Sequence, residues 1–285
     1  MGLFSSGRGR PRLCRACGNL VGAEADDCSY CGAKDRLTTG LLQNPTRLFG
    51  KLGPSRSFAV FILVYFAVMV VADRVFLAPG ESEEGASVLG GFGYSYRTFL
   101  GFGGLLPELV RRGEYWRFVT PIFIHLGLIH LAFNTYAFFF LGPLIEELFG
   151  KSKLVVVFLF SGIVAAIAMF LFGQGGAGAS GGIFGFIGAL VAYGVRLPTR
   201  FGQAVKVQAI QWAAWGLIVS LFIGASNTAH VAGLVSGFAA AYFLGPDDPS
   251  TERARKAVGS LVWFFLGVTV LALALMAAQL PRFYA

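Results

Sequence analysis

Apolar residues in this chain come in long, nearly unbroken runs rather than in the short periodic stripes of a soluble fold. After a polar opening of 57 residues, such runs occupy about 58–77, 118–148, 153–172, 181–197, 207–224, 229–245 and 257–280. A helix rising 1.5 Å per residue needs about 20 apolar residues to cross the hydrocarbon core of a bilayer, so each run reads as a membrane span. The run at 118–148 is too long for one span. It predicts a surface segment that dips into the bilayer, followed by the span proper from about Gly127. The count is therefore seven spans, with a polar N-terminal head.

The charges agree with that count. Lys and Arg collect on the cytoplasmic side of membrane proteins. The first 57 residues hold nine Lys/Arg against four Asp/Glu. Later basic groups fall between the second and third spans (Lys151, Lys153), the fourth and fifth (Arg196, Arg200, Lys206), and the sixth and seventh (Arg253, Arg255, Lys256). With seven spans and the N-terminus inside, all four regions share one face, and the third-to-fourth and fifth-to-sixth connections on the other face carry no charge. This topology puts the N-terminus in the cytosol and the C-terminus outside. The long first connection, about 78–117, then lies outside; its Glu81, Glu83 and Glu84 precede a mixed stretch ending Tyr115-Trp116-Arg117, suited to the headgroup interface.

Composition sharpens the class. The chain is 55% hydrophobic and 13% charged, with mean hydropathy +0.67. Soluble domains carry about 25% charged residues, so an all-α polytopic membrane protein is expected. The net charge of +8 follows from the topology, and no nucleic-acid partner is expected. The 39 glycines suit close helix packing in a membrane. No cleavable leader is expected, because no short apolar segment occurs in the polar head.

All four cysteines lie in that head, as Cys14-x2-Cys17-x10-Cys28-x2-Cys31. Two such knuckles can present four thiolates tetrahedrally to Zn²⁺. Two disulfides are the alternative, in an exported head. A cytosolic head favours a structural zinc, since disulfides are rare there. The expected divisions are 1–36 (a disordered start and a zinc ribbon), 37–57 (a basic linker), 58–245 (a six-span core) and 246–285 (a connection and the seventh span).

The chemistry sits inside the apolar runs. The three histidines are His125, His130 and His230, and Gly178-Ala-Ser180-Gly181 opens the fourth span. Ionisable groups in a bilayer are expensive and mark functional sites. The expected topology places His130, Ser180 and His230 at the outer ends of the second, fourth and sixth spans, at one depth. A serine hydroxyl needs a base to become a nucleophile, and His230 is the candidate. Small residues must let the two helices close: Gly181, Gly185 and Gly188 on the fourth span, Ala229, Gly233 and Gly237 on the sixth. Generic membrane packing is the bland alternative for these glycines. Ser180 N–H, at a helix N-terminus, is a donor for an oxyanion. His130 and Asn134, four apart on one helix face, are further donors, although Asn134 alone suits an interhelical hydrogen bond equally well. His125 is expected to prop the entering loop. No aspartate stands near the outer ends of the fourth and sixth spans, so a Ser–His dyad is the simpler reading. Ser226-Asn227, just before His230, are candidates to orient it.

Taken in order, the motifs resemble the rhomboid family of intramembrane serine proteases. The match covers roughly 58–245. It consists of Trp116-Arg117, His125-x4-His130-x3-Asn134, Glu146, Gly178-Ala-Ser180-Gly181 and Ala229-His230-x2-Gly233-x3-Gly237. The resemblance implies a six-helix core that cleaves transmembrane segments of other proteins, in what is expected to be a bacterial cytoplasmic membrane. It implies Ser180 and His230 as the dyad, and His130, Asn134 and the Ser180 amide as the oxyanion hole. The seventh span looks like a C-terminal addition. Phe184 stands where similar enzymes often have a tyrosine stacking on the histidine, which keeps the ring and loses the hydroxyl. Glu146 is expected to act structurally, at the wrong depth for chemistry. The cysteine head is outside the shared core and implies a cytosolic partner that the sequence does not identify. A catalytically silent relative that binds transmembrane clients is the alternative; a haem-binding redox or transport protein is a third.

Overall fold

The computed structural model describes residues 12–13, 19–21, 30, 52–76, 93–246 and 252–284. Two short strands, β1 (Arg12–Leu13) and β2 (Leu20–Val21), pair antiparallel in the head. Cys14, Cys17, Cys28 and Cys31 lie outside the described residues, as do Glu81, Glu83 and Glu84. The rest of the described chain is helical: α1 (Gly53–Phe76), α2 (Tyr96–Gly101), α3 (Pro107–Arg111), α4 (Leu128–Phe149), α5 (Lys151–Leu171), α6 (Ser180–Arg196), α7 (Arg200–Ile223), α8 (Asn227–Leu244) and α9 (Glu252–Gln279). Seven of these are long, at the seven apolar runs, and five are long and apolar enough by themselves to cross a membrane. The chain is an integral membrane protein.

The dipping segment before α4 consists of two 3₁₀ turns, Tyr115–Phe118 and Thr120–Phe123, with α4 starting one residue after Gly127. Three helices begin five or more residues before their apolar runs. α1 starts at Gly53, where Pro54 has no N–H to satisfy and the Ser55 N–H donates to Glu146 Oε1 at 2.7 Å. α7 starts at Arg200 because Thr199 caps it, accepting from Gly202 N at 3.0 Å. α9 starts at Glu252, so its basic residues are already helical.

Contacts at the helix ends sort them into two sets. At one end, Glu146 of α4 meets the start of α1, and Lys153 Nζ donates to the Gly245 carbonyl after α8 at 2.8 Å. At the other, Asp73 near the end of α1 accepts from Ser95 N at 2.8 Å, Ser95 Oγ at 2.6 Å and Thr98 Oγ1 at 2.6 Å. The C-terminal turn after α9 docks there too. Tyr284 shares a 2.8 Å hydrogen bond with Thr98, and Arg282 pairs with Glu114. The C-terminal turn and the α2–α3 loop therefore lie at the same end.

α6 is the central helix, with thirteen of its seventeen residues buried. Phe58, Phe138, Phe158 and Phe186 form an aromatic cluster joining α1, α4, α5 and α6, with centroid separations from 4.8 to 6.3 Å. α7 is the most peripheral long helix: 17% of its most apolar window is buried, against 61% for α5.

Candidate active site

Backbone contact between α6 and α8 builds the site. A Cβ at Gly233 would run into the Gly181 carbonyl, and one at Gly237 into the backbone of Gly185. A Cβ at Gly188 would meet the Leu234 carbonyl and the Phe238 N–H. No side chain larger than hydrogen fits at these positions, which is why the helices approach so closely. This approach brings Ser180 Oγ, on the first residue of α6, to 2.9 Å from His230 Nε2, in the first turn of α8. Ser226 caps α8, accepting from Ala229 N at 3.2 Å, and so fixes where that first turn begins.

Two further contacts hold the His230 ring. Phe184, one turn after Ser180, stacks on it at 4.2 Å between centroids, with planes 7° apart. Ser220 of α7 lies 2.8 Å from Nδ1. Ser226 and Asn227, the candidates from sequence to orient His230, bond elsewhere with their side chains: Ser226 Oγ donates to Gln174 Oε1 at 2.8 Å and Asn227 Nδ2 to the Leu217 carbonyl at 3.4 Å. With both of these side chains engaged elsewhere, the orienting contact comes from another helix, α7. Ser220 had no sequence signal, being one small polar residue in an apolar run.

His130 approaches from α4. Its Nδ1 accepts from Leu126 N at 3.3 Å, so the ring proton resides on Nε2. That nitrogen lies against Gly178: a Cβ there would stand 3.0 Å from His130 Nε2 and 3.5 Å from Ser180 Oγ. Gly178 has φ +147°, a conformation other residues rarely adopt, and its N–H donates to the Pro121 carbonyl at 2.9 Å. Asn134 Nδ2 donates to the His130 carbonyl at 2.8 Å, which leaves its second amide proton for another acceptor. Ser180, as the first residue of α6, has an N–H without an intrahelical partner.

The remaining residues singled out from sequence support these from behind. His125 is fully buried, its Nδ1 3.4 Å from the Phe123 carbonyl and its ring 5.1 Å from that of His130. Burial pushes its pKa down to about 3, with the neighbouring His130 adding to the effect, so it is neutral. Its carbonyl accepts from Tyr94 Oη at 2.8 Å. Arg117 is also buried: its Nε donates to Glu114 Oε2 at 2.7 Å and its Nη1 to the Gly104 carbonyl at 2.6 Å. Burial lowers the Arg117 pKa, with Glu114 opposing the shift. Gly104 adjoins Leu105, which pairs both ways at 3.0 Å with Gly176 in the turn leading to Ser180. The half-buried Trp116 offers its carbonyl to Thr120 Oγ1 at 3.2 Å. Glu146 lies at the opposite end of the bundle, capping α1.

The Rhomboid domain family model matches residues 112–247, the stretch that holds Ser180, His230, His130, Asn134, Phe184 and Ser220. Rhomboid protease GluP of Bacillus subtilis (strain 168) is 38% identical over 153 residues, covering 52% of this chain and 30% of that protein. YdcA of the same strain, likewise named for the rhomboids, is 33% identical over 133 residues, 45% of this chain and 67% of its own length. Rhomboid-like protease 2 of Toxoplasma gondii is 32% identical over 194 residues, covering 65% and 64% respectively. The chain thus spans from 30% to 67% of the length of these relatives.

Proposed function

Because this chain belongs to the rhomboid family, we propose that it is an intramembrane serine endopeptidase that cleaves transmembrane segments of other membrane proteins. The observation that carries the proposal is the 2.9 Å contact between Ser180 Oγ and His230 Nε2, made across two helices that only glycines let close. In the reaction, His230 Nε2 takes the hydroxyl proton as Ser180 Oγ bonds to the scissile carbonyl carbon. The negative charge on the carbonyl oxygen is met by the Ser180 N–H, the His130 Nε2–H and the free amide proton of Asn134. His230 then returns the proton to the departing amine. A water repeats the sequence on the acyl-enzyme and frees Ser180.

A helical substrate hides its peptide bonds in its own hydrogen bonds, so the segment must unwind first, which Gly or Pro favours. The crowding of Gly178 and Gly181 favours a small residue before the cut. The distribution of Lys and Arg supports a cytosolic N-terminus and a site that opens outward. Cleavage of a reconstituted transmembrane substrate should vanish in Ser180→Ala and His230→Ala proteins that remain folded. Undiminished cleavage by Ser180→Ala would refute the proposal.

The head is a separate part of the proposal. Pairing of β1 with β2 closes a hairpin whose connection carries Cys14 and Cys17. This fits one of two knuckles; with Cys28 and Cys31 the four thiolates would hold a structural zinc, which would stabilise the head's fold. Purified protein should carry about one zinc per chain, and Cys28→Ser should lose it. Full-length protein free of zinc after metal-replete growth would exclude it.

A further inference from the structure

A general base works only when its lone pair faces the nucleophile, so the proton of neutral imidazole must sit on the other nitrogen. No carboxylate was legible in the sequence to hold that proton on His230. Ser220 meets the requirement instead. Its Oγ lies 2.6 Å from the Gly216 carbonyl and 2.8 Å from His230 Nδ1. A carbonyl only accepts, so the one hydroxyl proton of Ser220 goes to Gly216. What remains toward Nδ1 is an acceptor, and Nδ1 must carry the proton. Nε2 is then bare toward Ser180.

The contact is sealed. Ser220 is 2% and His230 5% exposed, and Phe184 covers one face of the ring. The same turn of α7 supports that cover: the para carbon of Phe184 faces Gly216, 2.7 Å from where a Cβ would stand. Gly216 and Ser220, four apart on one helix, therefore serve the ring that stacks on the base and the base itself. His130 of α4 is the titratable group that faces His230.

We propose that Ser220 is a positioning residue for His230, fixing its tautomer and ring plane and accepting from Nδ1–H as the imidazolium forms. This rests on the reading of Ser180 and His230 as the catalytic pair. The test is a pH–rate profile of full-length wild-type, Ser220→Ala, Ser220→Cys and Ser220→Thr proteins on one transmembrane substrate, with rates per molecule titratable by a fluorophosphonate. Loss of one neutral hydrogen bond should lower kcat about tenfold in Ser220→Ala, with KM unchanged. The acid limb should move to lower pH, because the imidazolium loses its acceptor. Ser220→Thr, which keeps the hydroxyl, should restore most of the rate, and the weakly accepting thiol of Ser220→Cys should fall between. Equal kcat and the same acid limb across the series would overturn the role of Ser220 while leaving the pair intact. Full cleavage by a parallel Ser180→Ala control would overturn the catalytic pair itself.

Discussion

Gly233→Ala tests whether close helix approach is what assembles the site. A Cβ at 233 stands 2.8 Å from the Gly181 carbonyl carbon and 3.1 Å from its Cα, and nearer still to the carbonyl oxygen; ordinary contact begins at 3.4 Å. Both neighbours are backbone, so nothing can rotate aside. α6 and α8 must separate by something on the order of 1 Å, at a cost of about 1–3 kcal/mol in stability. His230 lies three residues before Gly233 and Ser180 adjoins Gly181, so the displacement is delivered to the 2.9 Å contact between them. Misplacement of reacting groups by about 1 Å costs roughly 10²-fold in rate. The assay is kcat for a reconstituted transmembrane substrate, beside thermal unfolding in the same detergent. Gly267→Ala on α9 is the control. Nothing stands within 4 Å of its new Cβ, and it should cleave at the wild-type rate. A folded Gly233→Ala protein within about threefold of wild type would refute the reasoning that a 1 Å displacement is costly.

Phe184→Tyr should lower activity rather than restore a family feature, because a hydroxyl on the para carbon would be driven into Gly216 of α7; a variant as active and as stable as wild type would show that α7 yields freely. Glu114→Ala strands the buried Arg117 and should cost about 3–5 kcal/mol. Arg282→Ala removes only the partner that is 46% exposed and should cost about 1 kcal/mol or less, so equal losses in unfolding experiments would contradict this division. The pKa of His125 is held at about 3 in the fold, below its ordinary 6.5, so the unfolded chain binds the extra proton. The contribution of His125 to stability is complete above pH 6.5 and declines as pH falls toward 3, by up to about 1.4 kcal/mol per pH unit. His125→Asn should flatten that part of the stability–pH curve, and an unchanged slope would show that His125 is not its source.

Much of this architecture was legible because a bilayer simplifies the code. Span positions need only run length, and the small-residue spacings on α6 and α8, read together with Ser180 and His230, point to the two helices that approach closely. The helix starts at Gly53 and Arg200 were not legible, because caps from Thr199 and Glu146 extend helices into polar sequence. Ser220 was hidden for a different reason. A serine bonded to the carbonyl four residues back is common filler in an apolar helix. Only the packing of α7 on α8 makes it a neighbour of His230. The C-terminal clasp was equally silent, since nothing in sequence pairs Arg282 with Glu114, 168 residues away.

The central claim is that Ser180 is a nucleophile activated by His230. Its most direct test is mass-spectrometric mapping of a fluorophosphonate adduct on purified wild-type and His230→Ala proteins. The account expects the adduct on Ser180 in the wild type and its loss in His230→Ala. A wild-type protein without an adduct on Ser180, or equal labelling in the two proteins, would contradict it.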